Sequence, residues 1–298
     1  MNIIKYKNWY FGLSLLVIIP GLISLFLFGL KPAIDFTGGS NITYSSSRTI
    51  TASDTRNVVS DFQKVQVNVV GTNANSTTLT IKTPPIDQAT HNKVTAIISQ
   101  SQPTLKETEF VTVGPTVGAE TTKNALLGIV VASILIVLYI AWTFRGVPKP
   151  ASSWKFGVTA IVALLHDALV LLGIFSLLGH FFGVEVDSLF VTAVLTVIGF
   201  SVHDTIVVFD RIRENLRRNP QGDFATTVNN SILQTLGRSL NTSLTVILVL
   251  FTLLLFGGES TFWFVVALLV GIVSGTYSSI FNASPLLVLW QEISGKKK

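Results

Sequence analysis

The segment GFSVHDTIVVFDRIREN, residues 199–215, places an ionisable pair inside an otherwise apolar helix. Apolar residues both precede and follow this pair, His203 and Asp204. An ionised carboxylate near the centre of a bilayer costs roughly 2.5–3.5 kcal/mol on insertion scales. A chain that keeps such a group usually uses it to move protons, ions or substrate. The segment therefore predicts a transport function within a membrane helix.

The whole chain has the composition of an integral membrane protein. Of its 298 residues, 49% are hydrophobic and only 12% are charged, whereas soluble domains carry about 25% charged residues. A helix needs roughly 20 apolar residues to cross the bilayer. Six runs approach that length, and we predict that each is a span: Trp9–Leu30, Ala125–Phe144, Phe156–Leu178, Ser188–Phe209, Leu240–Phe256 and Phe262–Trp290.

The short loops predict that both termini are cytoplasmic. The first run exceeds the roughly 7–15 apolar residues of a signal peptide, so we expect a retained anchor. Two short loops, Gly179–Asp187 and Gly257–Thr261, contain no Lys or Arg and are assigned to the outer side by the positive-inside rule. This asymmetry explains most of the net charge of +5 without a nucleic-acid partner. The basic residues of the other side are Lys5, Lys7, Arg145, Lys149, Lys155, Arg211, Arg213, Arg217, Arg218 and Lys296–Lys298.

A polar outer loop, residues 31–124, separates the first span (1–30) from a membrane part at 125–298. Its periodicity alternates in the order β-α-β-β-α-β, which is the signature of a ferredoxin-like α+β domain. In its second helix, Val94, Ile97 and Ile98 are predicted to face the sheet. The predicted elements are strand Asp35–Tyr44, helix Ser53–Gln63, strand Val65–Val70, a turn at Gly71–Ser76, strand Thr77–Lys82, helix Asp87–Ser101 and strand Thr108–Val113.

The sequence shows no constellation of catalytic or metal-binding residues. His91 is the one histidine of the outer loop, and its place on a predicted helix indicates an ordinary surface residue. The chain has no cysteine, which excludes a disulfide framework and a thiolate metal site. No nucleophile–base pair or phosphate loop is present either. We therefore expect neither an enzyme nor a bound cofactor or metal.

Asp204 is the strongest candidate for a proton-carrying group. Its position along the predicted helix is about 24 Å from the outer end, so it lies in the inner half of the bilayer. Ser201 and Thr205 share its helix face by the i, i+3, i+4 rule, so that face should point into protein or water. Arg238 opens the fifth span within plausible reach, and together these groups predict a proton relay. An interhelical hydrogen bond for Asp204 and an anchoring role for Arg238 are the alternatives.

The third span carries a second His-Asp dipeptide, His166-Asp167. Two neighbouring antiparallel helices would then each contribute such a pair. Asp167 has no basic partner in the sequence, so a structural role and a relay role stay open for it. For His166 and His203, packing or hydrogen bonding is the alternative to a place in the relay.

Charged residues at the inner end of the fourth span could brace a cytoplasmic gate. These residues are Asp210, Arg211, Arg213 and Glu214, and the alternative is an ordinary solvated helix end. After them, Asp223 is predicted to cap a cytoplasmic amphipathic helix near 223–237, which leads into the fifth span.

Three motifs together resemble the SecF family, the smaller subunit of the bacterial SecD–SecF pair. They are residues 35–40 (DFTGGS) after the first span, residues 114–118 (GPTVG) before the second, and the seventeen residues 199–215. The first motif contributes Asp35, Phe36, Gly38 and Gly39 as candidate outer-domain residues. The similarity covers essentially the whole chain, including its six spans and its large first outer loop.

The resemblance implies an α-helical polytopic membrane protein, one RND-like half of six transmembrane helices with an extracytoplasmic α+β ferredoxin-like domain. Such a half joins a SecD-like subunit in a twelve-span heterodimer of the bacterial inner membrane. The pair would use the proton gradient to promote preprotein export with a SecY-type channel complex and a YidC-type insertase. By the same resemblance, Asp204 matches the family's membrane carboxylate and Arg238 its fifth-span arginine. The family often has Asn where this chain has His203.

Two other functions compete with this reading. One is half of a proton-coupled RND-type exporter of small solutes, which usually carries a second large outer loop. The connection Gly179–Asp187 is too short to hold such a domain. The other is a non-conducting scaffold subunit whose polar groups only hold helices together.

Overall fold

The computed structural model describes residues 2–46, 66–73, 76–101, 103–148 and 151–295. The chain divides into two compact units. Met1–Lys31 and Leu127–Lys298 form a membrane unit, and Pro32–Leu126 form an outer unit. The sequence interpretation drew these divisions after residues 30 and 124.

Within the described residues, six helices are long and apolar enough to cross a membrane, as predicted. We refer to them as the first to sixth spans, in chain order. The second to sixth are longer than their apolar runs because further residues extend them at one or both ends, whereas the first begins and ends two residues earlier than its run. Their helices are Lys7–Phe28, Pro115–Thr143, Ser153–Phe182, Ser188–Arg218, Phe224–Phe256 and, for the sixth span, Glu259–Ser278 continued by Ser279–Ala283 and Ser284–Gly295.

The fourth and sixth spans form the centre of the membrane unit. They pack most extensively on each other, and the third and fifth spans flank them. The first span packs mainly on the third. The second span is largely exposed along its length. Directly after its end, Phe144 meets Phe156 and Phe209 with ring centroids 5.6 and 5.5 Å apart.

Glycines allow the closest approaches between these helices. A Cβ atom built on Gly173 would lie 2.7 Å from the Cα of Gly21, so the first and third spans touch backbone to backbone. A Cβ on Gly275 would lie 3.1 Å from the Cβ of Ser201 on the fourth span. Small residues at such crossings are typical of membrane helices, which gain most of their association energy from close packing.

The sixth span changes its winding in the middle. Residues Ser279–Ala283 form a π-helical turn between two α-helical segments. Isolated π turns are rare and are frequent at functional sites. Serines at 278 and 279 stand at the start of this turn and face the third and fourth spans. This irregularity was not predicted from the sequence.

The predicted amphipathic helix near 223–237 is the beginning of the fifth span itself. One continuous helix runs from Phe224 to Phe256, and Asp223 caps it by accepting a hydrogen bond from the backbone N–H of Thr226. Val228 and Ile232 are fully buried, so this stripe packs into the protein core and does not lie on a membrane surface.

The outer unit contains an antiparallel sheet with the strand order of a ferredoxin-like fold, as predicted. The described strands are β1 (Gly39–Ser46), β2 (Gln66–Asn73), β3 (Ser76–Thr83) and β4 (Leu105–Val113), in the order β2-β3-β1-β4. The helix Gln88–Ser101 lies between β3 and β4 in the chain. The predicted helix Ser53–Gln63 lies outside the described residues.

Two boundaries in this unit were predicted wrongly. Ile34–Thr37 form a single helical turn and not the start of β1, because Gly38 and Gly39 take positive φ values of 71° and 141° and turn the chain. The expected turn Gly71–Ser76 is mostly strand, since β2 continues to Asn73 and β3 begins at Ser76. Polar residues such as Thr72 and Asn73 pair across the hairpin with Thr77 and Ser76.

The core of the outer unit includes Ile42, Tyr44, Leu79, Ile81, Val94, Ile98 and Leu105. Val94 and Ile98 are buried as predicted, whereas Ile97 is 37% exposed. This difference follows from helix geometry, because residues four apart share a face more closely than neighbours do.

His91 is buried, whereas the sequence predicted a surface residue. Its Nε2 lies 3.0 Å from Glu107 Oε1, and its ring stacks on Phe110 with centroids 3.9 Å apart. Thr95 donates to Glu107 Oε2 at 2.8 Å and lies 3.2 Å from the hydroxyl of Tyr44. His91 therefore joins the helix to β4 as part of a polar network.

We expect Gly173→Ala to lower the melting temperature of the protein. The new methyl group would press on the backbone of Gly21, and overpacking of this kind costs about 1–3 kcal/mol. Thermal unfolding of the purified chain in detergent measures the effect. Gly157→Ala in the same helix is the control, because its Cβ would have only an ordinary contact at 3.9 Å. Equal melting temperatures for the two variants would contradict the backbone contact.

Burial raises the pKa of Tyr44 from the usual 10 to about 12. The fold therefore favours the protonated phenol. This contribution to stability is complete below pH 10 and is lost as the pH rises towards 12. We expect Tyr44→Phe to keep the outer unit protease-resistant to higher pH than the unsubstituted chain. The control is Tyr6→Phe, because Tyr6 is exposed, and a shift of the same size in that control would refute the assignment.

Candidate functional site

Asp167 is the centre of a buried hydrogen-bond cluster between three spans. Its side chain is shielded from solvent on the third span and accepts hydrogen bonds from three serine hydroxyls. Ser201 of the fourth span donates to Oδ2 at 2.5 Å, and Ser278 of the sixth span donates to the same atom at 2.6 Å. Ser274 donates to Oδ1 at 2.8 Å. We call this group the serine cage of Asp167.

His166 extends the serine cage on the side of the first span. Its Nδ1 lies 2.9 Å from Asp167 Oδ1. A carboxylate is an acceptor, so Nδ1 carries a hydrogen in this contact. Nε2 is buried and has no hydrogen-bond partner among the described residues. Asp167 therefore receives four hydrogen bonds, while the second ring nitrogen of its histidine stays without a partner in the described part of the chain.

The sixth span supplies two donors because of its local spacing. Ser274 and Ser278 are four residues apart and so lie on one face of the helix. Gly275 lets that face approach Ser201 closely. The neighbouring Ser279 Oγ lies 2.9 Å from Thr205 Oγ1 and donates to the backbone oxygen of Gly275. Close packing and the π turn thus bring hydroxyl groups from two helices towards one carboxylate.

Asp204 lies one helical turn from Ser201 and has a different environment. It is 3% exposed, and its Oδ2 is buried without a hydrogen-bond partner in the described part of the chain. Ser239 of the fifth span interacts with Asp204, yet its own hydroxyl makes no hydrogen bond either. The predicted face is confirmed, since Ser201, Asp204 and Thr205 are all buried.

The two other predicted relay residues point away from this buried face. His203 is exposed on the surface of the fourth span, and Arg238 is exposed in the first half of the fifth. Arg238 makes no hydrogen bond or ion pair with the residues that the structure describes. The single chain thus brings Asp204 next to Ser239 and leaves Arg238 available at the surface.

The four predicted gate residues form ion pairs along the fourth helix. Arg213 pairs with Asp210, and Arg211 pairs with Glu214 at 2.5 Å. Two further bonds reach other helices: Arg213 donates to the backbone oxygen of Thr143 at 3.1 Å, and Arg211 donates to Gln234 at 2.6 Å. These partly exposed residues therefore connect the end of the fourth helix to the second and fifth.

The outer-domain motif forms a tight junction with the second motif. Gly118 packs so closely that its Cβ would lie 2.9 Å from the backbone nitrogen of Gly38 and 3.1 Å from the backbone oxygen of Phe36. Thr122 also donates to that oxygen. Asp35 belongs to the helical turn before Gly38, and Gly39 begins β1. Residues 35–40 and 114–118 thus act as one structural unit.

Sequence reasoning missed the three serines of the sixth span. Ser274, Ser278 and Ser279 occur in SGTYSS, residues 274–279, an unusually polar stretch for a membrane helix. Its spacing was the available signal, because serines at i and i+4 mark one polar face. No cluster of three or more metal-ligating His, Cys, Asp or Glu side chains occurs within residues 2–46, 66–73, 76–101, 103–148 and 151–295.

Six candidate membrane spans and a separate ferredoxin-like unit define a polytopic α-helical membrane protein with one α+β domain. Residues 93–293 match the family described as "Protein export membrane protein SecD/SecF, C-terminal", and residues 23–50 match the "SecD/SecF GG Motif". The chain therefore belongs to the SecD/SecF family, in its SecF branch of protein translocase subunits.

Individual relatives agree with this assignment. The chain is 46% identical to protein translocase subunit SecF of Thermobaculum terrenum, covering 98% of this chain and 94% of that protein. It is 33% identical to SecF of Pseudomonas aeruginosa, covering 99% and 93%. It is also 35% identical to subunit SecDF of Bacillus subtilis, covering 98% of this chain but 38% of that protein.

Solved structures show the same fold. The crystal structure of SecDF, a translocon-associated membrane protein from Thermus thermophilus, superposes with a TM-score of 0.84 at 33% identity. The comparison covers 98% of this chain and 39% of the SecDF chain. This chain therefore corresponds to one part of a longer protein in which SecD and SecF are fused, which supports a SecD-type partner.

We expect Ser278→Ala to destabilise the membrane unit. The substitution removes one hydrogen bond to a buried carboxylate, and such bonds contribute about 1.5–3 kcal/mol. Thermal unfolding of the full chain in detergent measures the loss. Ser260→Ala is the matched control, since Ser260 is exposed at the other end of the sixth span. An unchanged melting temperature for Ser278→Ala would show that the serine cage does not stabilise the helices.

Proposed function

We propose that this chain is the SecF-type half of a proton-driven accessory unit of the Sec translocase. With a SecD-type subunit it uses the proton gradient to promote preprotein export on the extracytoplasmic side. The observation that carries the proposal is Asp204, a buried membrane carboxylate whose Oδ2 has no hydrogen-bond partner among the described residues. Asp204 lies one helical turn from Ser201, which donates a hydrogen bond to Asp167 on the third span.

The electrostatic argument rests on the contrast between the two carboxylates. An ionised carboxylate removed from water is costly unless donors or a cation compensate it. Asp167 has such donors in the serine cage, so it can remain in one state. Asp204 has only the hydroxyl of Ser239 close by, so we infer that its charge is compensated by a proton or by an approaching cation. A carboxylate whose charge is compensated either by a proton or by a cation can couple proton binding to helix movement.

Arg238 is the cation that we assign to this exchange. It is exposed one residue before Ser239, which itself interacts with Asp204. A modest movement of the fifth span, or contact with the partner subunit, would alter the distance between the guanidinium group and the carboxylate. Moving one charge through 100 mV is worth roughly 2.3 kcal/mol, which is enough to bias such a conformational equilibrium.

The remaining assignments follow from this role. The protein would lie in the bacterial cytoplasmic membrane with both termini cytoplasmic, and the outer unit would face the other side. A SecY-type channel complex, a YidC-type insertase and the translocating preprotein are the proposed partners. The chain would act as a transporter subunit and not as an enzyme. His203 and His166 would tune the carboxylates that follow them in sequence.

The two competing functions have weaker support. A small-solute exporter of the RND type would usually carry a second outer domain, but the third and fourth helices are separated only by residues 183–187. A pure scaffold would have no need of a buried acid without a hydrogen-bond partner. Serine donors like those of Asp167 would serve a scaffold at Asp204 as well.

Asp204→Asn tests the proposal. We expect vesicles that contain this variant with its SecD-type partner to lose the stimulation of preprotein export by the proton gradient, while the two subunits still copurify. Export would be measured with and without an imposed gradient. Asp210→Asn is the control, because Asp210 is an exposed carboxylate at the end of the same helix. Full gradient sensitivity of Asp204→Asn would refute the relay, and loss of copurification without a specific gradient defect would favour the scaffold.

A further inference from the structure

The membrane unit contains an apolar groove that the proposed proton relay does not use. Its volume is about 500 Å³, and it lies between the first, third and sixth spans. Leu13, Val17, Val170, Leu269 and Val273 form most of its walls. Small-molecule sites commonly measure about 300–1,000 Å³ and combine apolar walls with a few polar groups.

One polar atom at this groove is unsatisfied. His166 lines the groove, its side chain is only 10% exposed, and its Nε2 has no hydrogen-bond partner among the described residues. Because Nδ1 is bound to Asp167 on one side of the ring, Nε2 points away from the serine cage. A buried polar atom without a partner is costly and calls for an explanation.

The other polar groups of the groove already have partners. Ser14 pairs with Asn282, Ser274 donates to Asp167, and the hydroxyl of Tyr277 donates to the backbone oxygen of Tyr10 at 2.7 Å. In a neutral imidazole whose hydrogen lies on Nδ1, the hydrogen-bonding capacity left at the groove is that of an acceptor. A ligand needs one O–H or N–H donor on an otherwise apolar body.

Charge and shape narrow the ligand further. A charged molecule is excluded, because no counter-charge lines the groove to compensate its transfer out of water. The rings of His166 and Tyr277 are stacked, with centroids 6.3 Å apart, and provide an aromatic wall. Aromatic ligands gain additional energy from offset or edge contacts with such rings.

We propose that this groove binds uncharged hydrophobic phenols, whose hydroxyl group donates to His166 Nε2. The phenol ring lies near Tyr277, and an alkyl substituent follows the apolar walls between the first and sixth spans. Nε2 is shielded by its neighbours, so a wall side chain other than His166 must rotate before the ligand can reach this atom. Such a ligand would hold His166 in its neutral tautomer beside Asp167.

A photoreactive 4-alkylphenol tests this site on the full chain in lipid nanodiscs, with mass spectrometry to locate the labelled peptides. We expect labels on the first, third and sixth spans, and competition by a plain 4-alkylphenol. The matched 4-alkylanisole has the same body without the O–H donor, and it should compete about tenfold less well. Equal competition by both compounds would mean that membrane acyl chains and any apolar molecule fill the groove alike, and would overturn the proposal.

Three variants separate the site from general membrane partitioning. His166→Phe keeps a ring and removes the acceptor, and Val273→Phe fills the groove but leaves His166 in place; both should abolish the phenol-specific label. Val249→Phe is the control on an exposed position of the fifth span outside the groove and should retain it. Labelling that survives both groove variants would refute the site. Loss of labelling on copurification with the SecD-type partner would show that a partner helix occupies the groove, and would also refute it.

Discussion

The hydrogen bonds around Asp167 are the constraint on which the membrane unit depends. A fully buried carboxylate within a bilayer requires donors from protein, because neither water nor lipid can supply them. Here the donors come from the fourth and sixth spans, and they reach Asp167 only if these helices lie close together. The small residue Gly275 and the π turn at Ser279–Ala283 are the backbone features that allow this approach.

The same helix face that serves Asp167 also carries Asp204. The hydroxyl of Ser201 donates to Asp167, and that of Thr205 is hydrogen-bonded to Ser279. Neither is therefore available to donate to Asp204. Asp167 is thus stabilised by a hydroxyl group that would otherwise be close enough in sequence to serve Asp204. A fixed site and a responsive site therefore follow from one packing arrangement, and a movement of the sixth span would change the environment of both acids together.

The sequence was sufficient for the spans and for the buried position of Asp204, because both depend on one-dimensional rules: the length of an apolar run and the cost of a charge within it. It was not sufficient for the serine cage. Serines are common in membrane helices, and Ser278 becomes a hydrogen-bond donor to Asp167 only when two helices that are distant in sequence meet. His91 was misjudged for the same reason, since Glu107 and Phe110 are brought to it by the fold. The helical turn at Ile34–Thr37 was not predicted because two glycines with positive φ override the strand pattern.

His203 shows what the single chain leaves open to a partner. Ionisable residues within membrane spans almost always face protein or a water-filled cavity, yet His203 is exposed on the fourth span and Arg238 on the fifth. Both neighbours in sequence, Asp204 and Ser239, are buried. On each of these two helices an exposed polar residue thus stands next to a buried one. The buried pair contains two atoms without a hydrogen-bond partner among the described residues, Asp204 Oδ2 and Ser239 Oγ. A second protein that covers this surface would shield His203 and Arg238 from lipid and would complete the surroundings of Asp204. The correspondence of this chain to one part of longer SecDF proteins agrees with such a partner. Asp204, the proposed proton-carrying group, thus lies beside the surface that such a partner would cover.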